Sequence, residues 1–291
     1  MTLEEDLARR DLTINAMARG EDGRVIDPHG GQADLAAGLL RHVSPAFVED
    51  PLRVLRVARF AARLGFAVAP ETEALMRTIV ASGELATLAP ERIWQELAKG
   101  LSETRPSRML AVLRECGALA RVMPELDRSL ERPDTPELLA ARLDRAAARG
   151  YALAVRYALL VLDLGEDGAA ALAARIRPPN DCAELALLAI RDRDLVHQCG
   201  VDAQSALNVL ERADAFRRPD RLDRLVEVAE CDLHAGPAHD FVPRKILKRA
   251  LDAARGVDAG AIAREHPDDI AGAVRRARLV AIAALQPPTG H

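Results

Sequence analysis

Two short clusters carry the side chains in this chain that could do chemistry. The first, Arg9-Arg10-Asp11-Leu12-Thr13-Ile14-Asn15-Ala16-Met17-Ala18, packs polar groups at Arg9, Arg10, Asp11, Thr13 and Asn15 ahead of any amphipathic face. The second, Glu49-Asp50-Pro51-Leu52-Arg53-Val54-Leu55-Arg56-Val57-Ala58-Arg59-Phe60, follows forty positions later. On a helix, Asp50 and Arg53 stand three apart and project from one face, so both can meet the edge of one planar ligand. A carboxylate there accepts from an exocyclic amino group while a guanidinium donates to a ring nitrogen. Cytosine and adenine present that pattern; uracil and guanine present the reverse. Arg56 and Arg59 continue at three-residue steps and could reach phosphates, with Leu52, Leu55 and Phe60 seating the helix. Taken alone, each cluster also has a plainer reading: a solvated charged stripe with a helix-start Asp for the second, and a capped helix start at Asp11 for the first.

Few elements are available to position these groups. Thr2 to Asp6 can cap and charge a short helix. Arg19-Gly20-Glu21-Asp22-Gly23 carries Asp-Gly turn chemistry between apolar runs, which predicts a hairpin closing on Val25-Ile26-Asp27. Pro28-His29-Gly30-Gly31 breaks the strand, and Gln32 to Leu40 reads as a helix. So small a sheet, with an open edge, is marginal without partners. From Ser44 onward the apolar period is helical: Leu52, Leu55, Val57, Ala58 and Phe60 form one face, Pro70 and Pro90 restart helices, and Gly117 is placed to end the helix begun at Pro106. A polar, proline-punctuated stretch from Pro124 to Pro136 reads as a boundary.

Composition narrows the class. The chain has 291 residues, 49% hydrophobic and only 3% aromatic, which favours helices packed through Ala and Leu over a sandwich or barrel. The fold expected is mainly α. A formal net charge of −4 supplies no general field for nucleic acid, so any such contact must be local. Cys116, Cys182, Cys199 and Cys231 have no zinc spacing and read as buried reduced thiols. No stretch has the ~18–20 apolar residues that cross a bilayer, and the acidic start Leu3-Glu4-Glu5-Asp6 is unlike a signal peptide, so a cytoplasmic location is expected.

Four segments in order carry a resemblance. Arg9 to Ala18 resembles the RRDxTINA motif of tRNA nucleotidyltransferases, the CCA-adding enzymes of the bacterial and eukaryotic class. Asp27-Pro28 through Asp34-Leu35 and Leu40-Arg41-His42 resembles their next motif, Glu49 to Arg59 their EDxxRxxRxxRF, and Pro90-Glu91-Arg92-Ile93-Trp94-Gln95-Glu96-Leu97 their ERIxxEL neck motif. The resemblance implies that Asp50 and Arg53 read the base edge of CTP or ATP, and that Asp11 and Asn15 contact ribose hydroxyls. It puts Arg10, Arg56 and Arg59 near the triphosphate, and Glu91 and Arg92 as braces of the helix bearing the reading pair. It also implies a tRNA 3′ end as acceptor, and a GGxVRD turn with a D-x-D pair holding Mg²⁺ ahead of the RRDxTINA motif. The eight residues before Arg9 hold neither. The expectation is therefore that no residue here is catalytic or metal-binding, that Mg²⁺ matters only if that head segment is supplied, a separately encoded partner being one source, and that the chain alone is inactive. Bacterial poly(A) polymerase shares the same motifs and is the enzymatic alternative; a non-catalytic tRNA- or nucleotide-binding subunit of a split enzyme is the other.

Further on, Tyr157 to Gly165 resembles the metal-binding strip of an HD phosphohydrolase, with Leu162 at the histidine position before Asp163. Arg193-Asp194 similarly echoes a second His-Asp segment with arginine substituted, and His197, His234 and His239 are too scattered for a metal site. The expected division is 1–44, a partial nucleotidyltransferase head with a small α+β remnant; 45–130, a helical nucleotide-recognition, neck and body region; and 131–291, a degenerate HD-like helical domain. Gln286 to His291 reads as a frayed end.

Overall fold

The structure is a computed structural model that describes residues 2–199, 202–233 and 240–285, the His197 side chain excepted. His234, His239 and Gln286 to His291 lie outside the described residues. The chain forms two compact units, Met1–Asn180 and Asp181–His291.

The first unit opens with a capping box. Thr2 Oγ1 accepts from the Glu5 amide at 3.2 Å and Glu5 Oε2 accepts from the Thr2 amide at 2.8 Å, which starts α1 (Leu3–Ala8). After a 3₁₀ turn at Thr13–Asn15, β1 (Ala18–Arg19) pairs antiparallel with β2 (Val25–Ile26), around a turn in which Gly23 takes φ +79°. Asp27 then starts α2 (Gly31–Ala37), accepting from the Gly31 and Gln32 amides at 2.7 and 2.9 Å. Burial raises the Asp27 pKa, but hydrogen bonds from Gln32, Gly31 and His29 outweigh it and hold the group below its ordinary 3.8.

The helix expected to reach Leu40 stops at Ala37, because Gly38 turns left-handed at φ +67°. β3 (Leu39–Leu40) is thereby released to pair in parallel with β4 (Ala67–Val68). Between them run a 3₁₀ turn, Pro45–Glu49, and α3 (Leu52–Leu64), which serves as the crossover that parallel pairing requires. Two-residue strands show no alternation, so β4 leaves no periodic trace in the sequence.

α3 is the spine of this unit. Val54, Leu55, Val57, Ala58, Ala61 and Ala62 are at most 1% exposed, and each large aliphatic so buried contributes about 1.5–3 kcal/mol. It packs on α5 (Pro90–Ser102) and α6 (Pro106–Glu115), while α4 (Pro70–Ser82) lies against the Pro45–Glu49 turn. Proline at the first turn of each of these three helices costs no hydrogen bond, since that amide has no intrahelical partner. α7 (Ala118–Val122), α8 (Pro124–Ser129), α9 (Thr135–Ala148), α10 (Leu153–Val161) and α11 (Gly165–Ile176) follow. α9 packs on α6 and α10, and α5 meets both α10 and α11, with Trp94 edge-on to Tyr157 at 5.5 Å.

The compact units do not divide at 44 or at 130. The polar run from Pro124 to Pro136 is a packed helix and turn: Leu126 and Leu130 are 1% and 5% exposed, and Arg114 Nη2 donates to the Leu130 carbonyl at 2.9 Å. Its apolar residues fall on one face, which the prolines obscure in the linear sequence.

The second unit holds α12 (Asn180–Gln198), α13 (Ala203–Arg212), α14 (Pro219–Leu233), α15 (Val242–Arg255), α16 (Ala259–Glu265) and α17 (Ile270–Ala283). Asp202, Asp258 and Asp269 cap α13, α16 and α17 through backbone amides. Three buried acids are each met by an arginine: Asp192 by Arg212 at 2.5 Å, Asp232 by Arg193 at 2.7 Å, and Glu230 by Arg244 at 2.5 Å. No described helix is long and apolar enough to cross a membrane.

Candidate functional site

The two polar clusters meet. Leu12 bridges to His42, and the Thr13 amide donates to the Arg41 carbonyl at 2.9 Å, which sets the Arg9–Asn15 segment beside the start of α3. Asp11, 6% exposed, accepts from Arg56 Nε at 2.7 Å on one carboxylate oxygen. Its other oxygen accepts from Asn15 Nδ2 at 3.2 Å and from the Leu12 amide at 3.0 Å. Arg53 spans the same junction, Nη1 donating to the Ala46 carbonyl at 2.6 Å and Nη2 to the Arg9 carbonyl at 2.7 Å.

These contacts wall a cleft of about 540 Å³ lined by Arg9, Arg10, Asp11, Asn15, Asp50, Leu52, Arg53, Arg56, Phe60 and Arg92. That is the size range of small-ligand sites. Five guanidiniums face two carboxylates there, so the cleft suits a polyanion with a polar edge. Asp50 is held at the mouth: Oδ1 accepts from the Leu52 amide at 3.0 Å, and Arg92 Nη2 stands 3.4 Å from both oxygens. Since 3.4 Å is well beyond a strong charge-assisted bond, Asp50 keeps lone pairs for an incoming donor.

Of the residues singled out from the sequence, Arg10, Asp11, Asn15, Asp50, Arg53, Arg56 and Arg92 line the cleft, and two do not. Arg59 turns toward α5, where Nε donates to Glu96 Oε2 at 2.7 Å and the guanidinium lies 4.6 Å from the Phe60 ring centroid. Three-residue steps drift round a helix, so Arg59 leaves the face that holds Arg53 and Arg56. Glu91 pairs instead with Arg177 at 2.8 Å; its own backbone amide first, and Arg177 next, hold its carboxyl below the ordinary 4.5. Bracing of α3 from the neck comes from Arg92 on Asp50 and from Glu96 on Arg59. Glu96 escaped notice although it lies inside the quoted ERIxxEL segment; its place one turn beyond Arg92 was the available signal.

Behind the cleft, Thr13 Oγ1 donates to Asp34 Oδ2 at 2.7 Å, and Arg41 Nε stands 3.1 Å from both Asp34 oxygens and pairs also with Glu71. Beside it, burial first and Arg41 second lower the His42 pKa from 6.5, in keeping with a neutral ring whose Nδ1 is 2.9 Å from Thr72 Oγ1. A separate cavity of about 470 Å³ between α6 and α9, lined by Leu110, Leu130 and Leu139 among others, contains none of the motif residues.

At the strip resembling an HD domain, Leu162 is buried and Asp163 pairs with Arg142 of α9. Arg193 grips Asp232 through Nε and Nη2 at 2.7 and 2.8 Å. Guanidinium groups thus pair with Asp163 of the strip and with Asp232 of α14. Among the described residues, no three His, Cys, Asp or Glu side chains converge to hold a metal ion.

Residues 1–41 match the model of the poly(A) polymerase head domain, and residues 65–130 match that of the probable RNA- and SrmB-binding site of polymerase A. The multifunctional CCA protein of Aromatoleum aromaticum is 49% identical over 98% of this chain and 78% of its own length. That of Laribacter hongkongensis is 46% identical over 98% and 79%. Among solved structures, the CCA-adding enzyme of Bacillus stearothermophilus in complex with CTP aligns over 97% of this chain and 70% of its own, with 25% identity and a TM-score of 0.75. A CCA-adding enzyme in complex with ATP, 19% identical, shares the fold over 98% of this chain and 69% of its own at a TM-score of 0.67.

Proposed function

Because the chain belongs to the CCA-adding tRNA nucleotidyltransferase and poly(A) polymerase family, we propose that its cleft selects CTP and ATP for addition to the 3′ end of tRNA. Asp50 accepts from the exocyclic amino group and Arg53 donates to the ring nitrogen. Asp11 and Asn15 face the ribose, and Arg10 and Arg56 face the triphosphate. The observation that supports this most directly is the convergence of the Arg9 and Glu49 segments on one cationic cleft, tied by Arg56 on Asp11 and by Arg53 on the Arg9 carbonyl. The tied template matters because a pair fixed before binding loses little entropy on binding.

Phosphoryl transfer of this kind rests on metal ions held by carboxylates. In the family those stand on a GGxVRD and D-x-D segment ahead of the RRDxTINA motif. We propose that these 291 residues bind nucleotide but incorporate it only when that segment is supplied, in line or by a separate partner, together with Mg²⁺. Calorimetric titration of the chain with the four ribonucleoside triphosphates tests the selection: CTP and ATP bind, while UTP and GTP bind at least about tenfold more weakly, one mismatched edge being worth ~1–3 kcal/mol. Equal affinity for all four refutes it. A preference for ATP with no affinity for CTP would favour the poly(A) polymerase alternative.

A further inference from the structure

Asn15 closes the 3₁₀ turn Thr13–Asn15, and Asp11 lies two residues ahead of that turn, its Oδ1 accepting from the Leu12 amide and from Asn15 Nδ2. The turn is held from behind by Thr13. This residue is 2% exposed, and its hydroxyl donates to Asp34 Oδ2 at 2.7 Å, across 21 positions of sequence. Its amide donates to the Arg41 carbonyl, and its carbonyl accepts from Ala16. That carbonyl also abuts α2 so closely that a Cβ built on Gly31 would stand 2.3 Å from it. Asp34, the acceptor of that hydroxyl, is itself paired with Arg41.

We infer that Thr13 is the positioning residue of the cleft: its hydrogen bond to Asp34, with Gly31 admitting the close approach, sets the orientation of Asp11 and Asn15 toward a nucleotide sugar. This rests on the nucleotide reading above and adds to it the group that determines sugar discrimination. Thr13 does not line the cleft and acts through its neighbours. Valine has the shape of threonine without the hydroxyl, and serine keeps the hydroxyl without the methyl, so the pair separates hydrogen bonding from packing.

Two readouts on the 291-residue chain test it. In amide hydrogen exchange, T13V speeds exchange at Asn15 and Ala16 by about tenfold, the scale of one lost buried hydrogen bond, while T13S leaves it near wild type. Unchanged exchange in T13V overturns the proposal whether or not nucleotide binds. In titrations with CTP and 2′-deoxy-CTP, wild type and T13S share the same ribose preference and T13V loses most of it. A uniform weakening of both ligands in T13V, with the ratio intact, also overturns it and leaves Thr13 a packing residue. Wild-type chain with no affinity for CTP refutes the nucleotide reading instead, and the exchange result still decides whether Thr13 holds the turn.

Discussion

Replacement of Glu96 by alanine exposes how much the cleft wall depends on a buried ion pair. The Glu96 side chain is 5% exposed and accepts from Arg59 Nε at 2.7 Å and Lys99 Nζ at 3.1 Å. Removing it leaves the Arg59 guanidinium, 12% exposed, without its counter-charge. Breaking a buried pair from one side costs ~3–5 kcal/mol. The lower end applies, because Arg59 keeps its place over the Phe60 ring and retains some solvent. A loss of about 3 kcal/mol corresponds to a melting temperature lower by roughly 6–12 °C for a unit of this size. The single tryptophan, Trp94, lies on α5 within the same unit, so its fluorescence follows that unit alone. E96Q, which keeps an acceptor for Arg59 but no charge, loses about half as much. The double change of Glu96 to Leu and Arg59 to Met recovers most of the stability, since an apolar pair of similar volume replaces the ionic one. A loss under about 1 kcal/mol in E96A, as for a surface pair, refutes the bracing role, as does a double variant no more stable than the single.

Four further outcomes follow from other parts of the molecule. G31A forces α2 off the Thr13 carbonyl and destabilises the first unit by about 1–3 kcal/mol, the range for overpacking; a melting curve matching wild type contradicts the close approach. R53A leaves the Ala46 and Arg9 carbonyls without their donor and abolishes the preference for CTP and ATP over UTP and GTP, which the same four titrations read. The thiols of Cys182 and Cys199 are pushed by burial to about 12 and about 11, so a disulfide-exchange reagent at neutral pH labels them only after denaturant is added; rapid labelling of the native chain contradicts their burial. Burial, outweighing Arg212, raises the Asp192 pKa above its ordinary 3.8. The folded state then binds more protons than the unfolded one between those two values, so this group adds stability as pH falls through its raised pKa. D192N lacks that component, and the stability difference between wild type and D192N moves in favour of wild type on acidification; a difference independent of pH contradicts it.

Some of this was legible in the residues. Helix starts at Pro70, Pro90 and Pro106, the apolar face of α3, the Asp-Gly hairpin and the left-handed Gly117 follow from local rules that act over a few positions. The Arg9 and Glu49 segments offered candidate groups through residue type and spacing, and the resemblance to the family supplied the roles expected of them. The parallel pairing of β3 with β4 was not legible, because it joins residues almost thirty positions apart through strands too short to show a period. The helical nature of Pro124–Ser129 was hidden by prolines that sit at a first turn instead of in a loop.

By itself, then, the sequence determined the mainly helical class through composition and short-range periodicity, showed the family through the resemblance of its motifs, and offered a set of polar groups for a site. Which of those groups share one cleft was a tertiary decision. Arg53 and Arg56 stay in it, while Arg59, at the same spacing, is drawn to Glu96 on a helix 37 positions away. Glu91, adjacent to the cleft-lining Arg92, is drawn out to Arg177. A charged side chain takes whichever counter-charge the packed helices bring near it, and that neighbour is absent from its own stretch of chain.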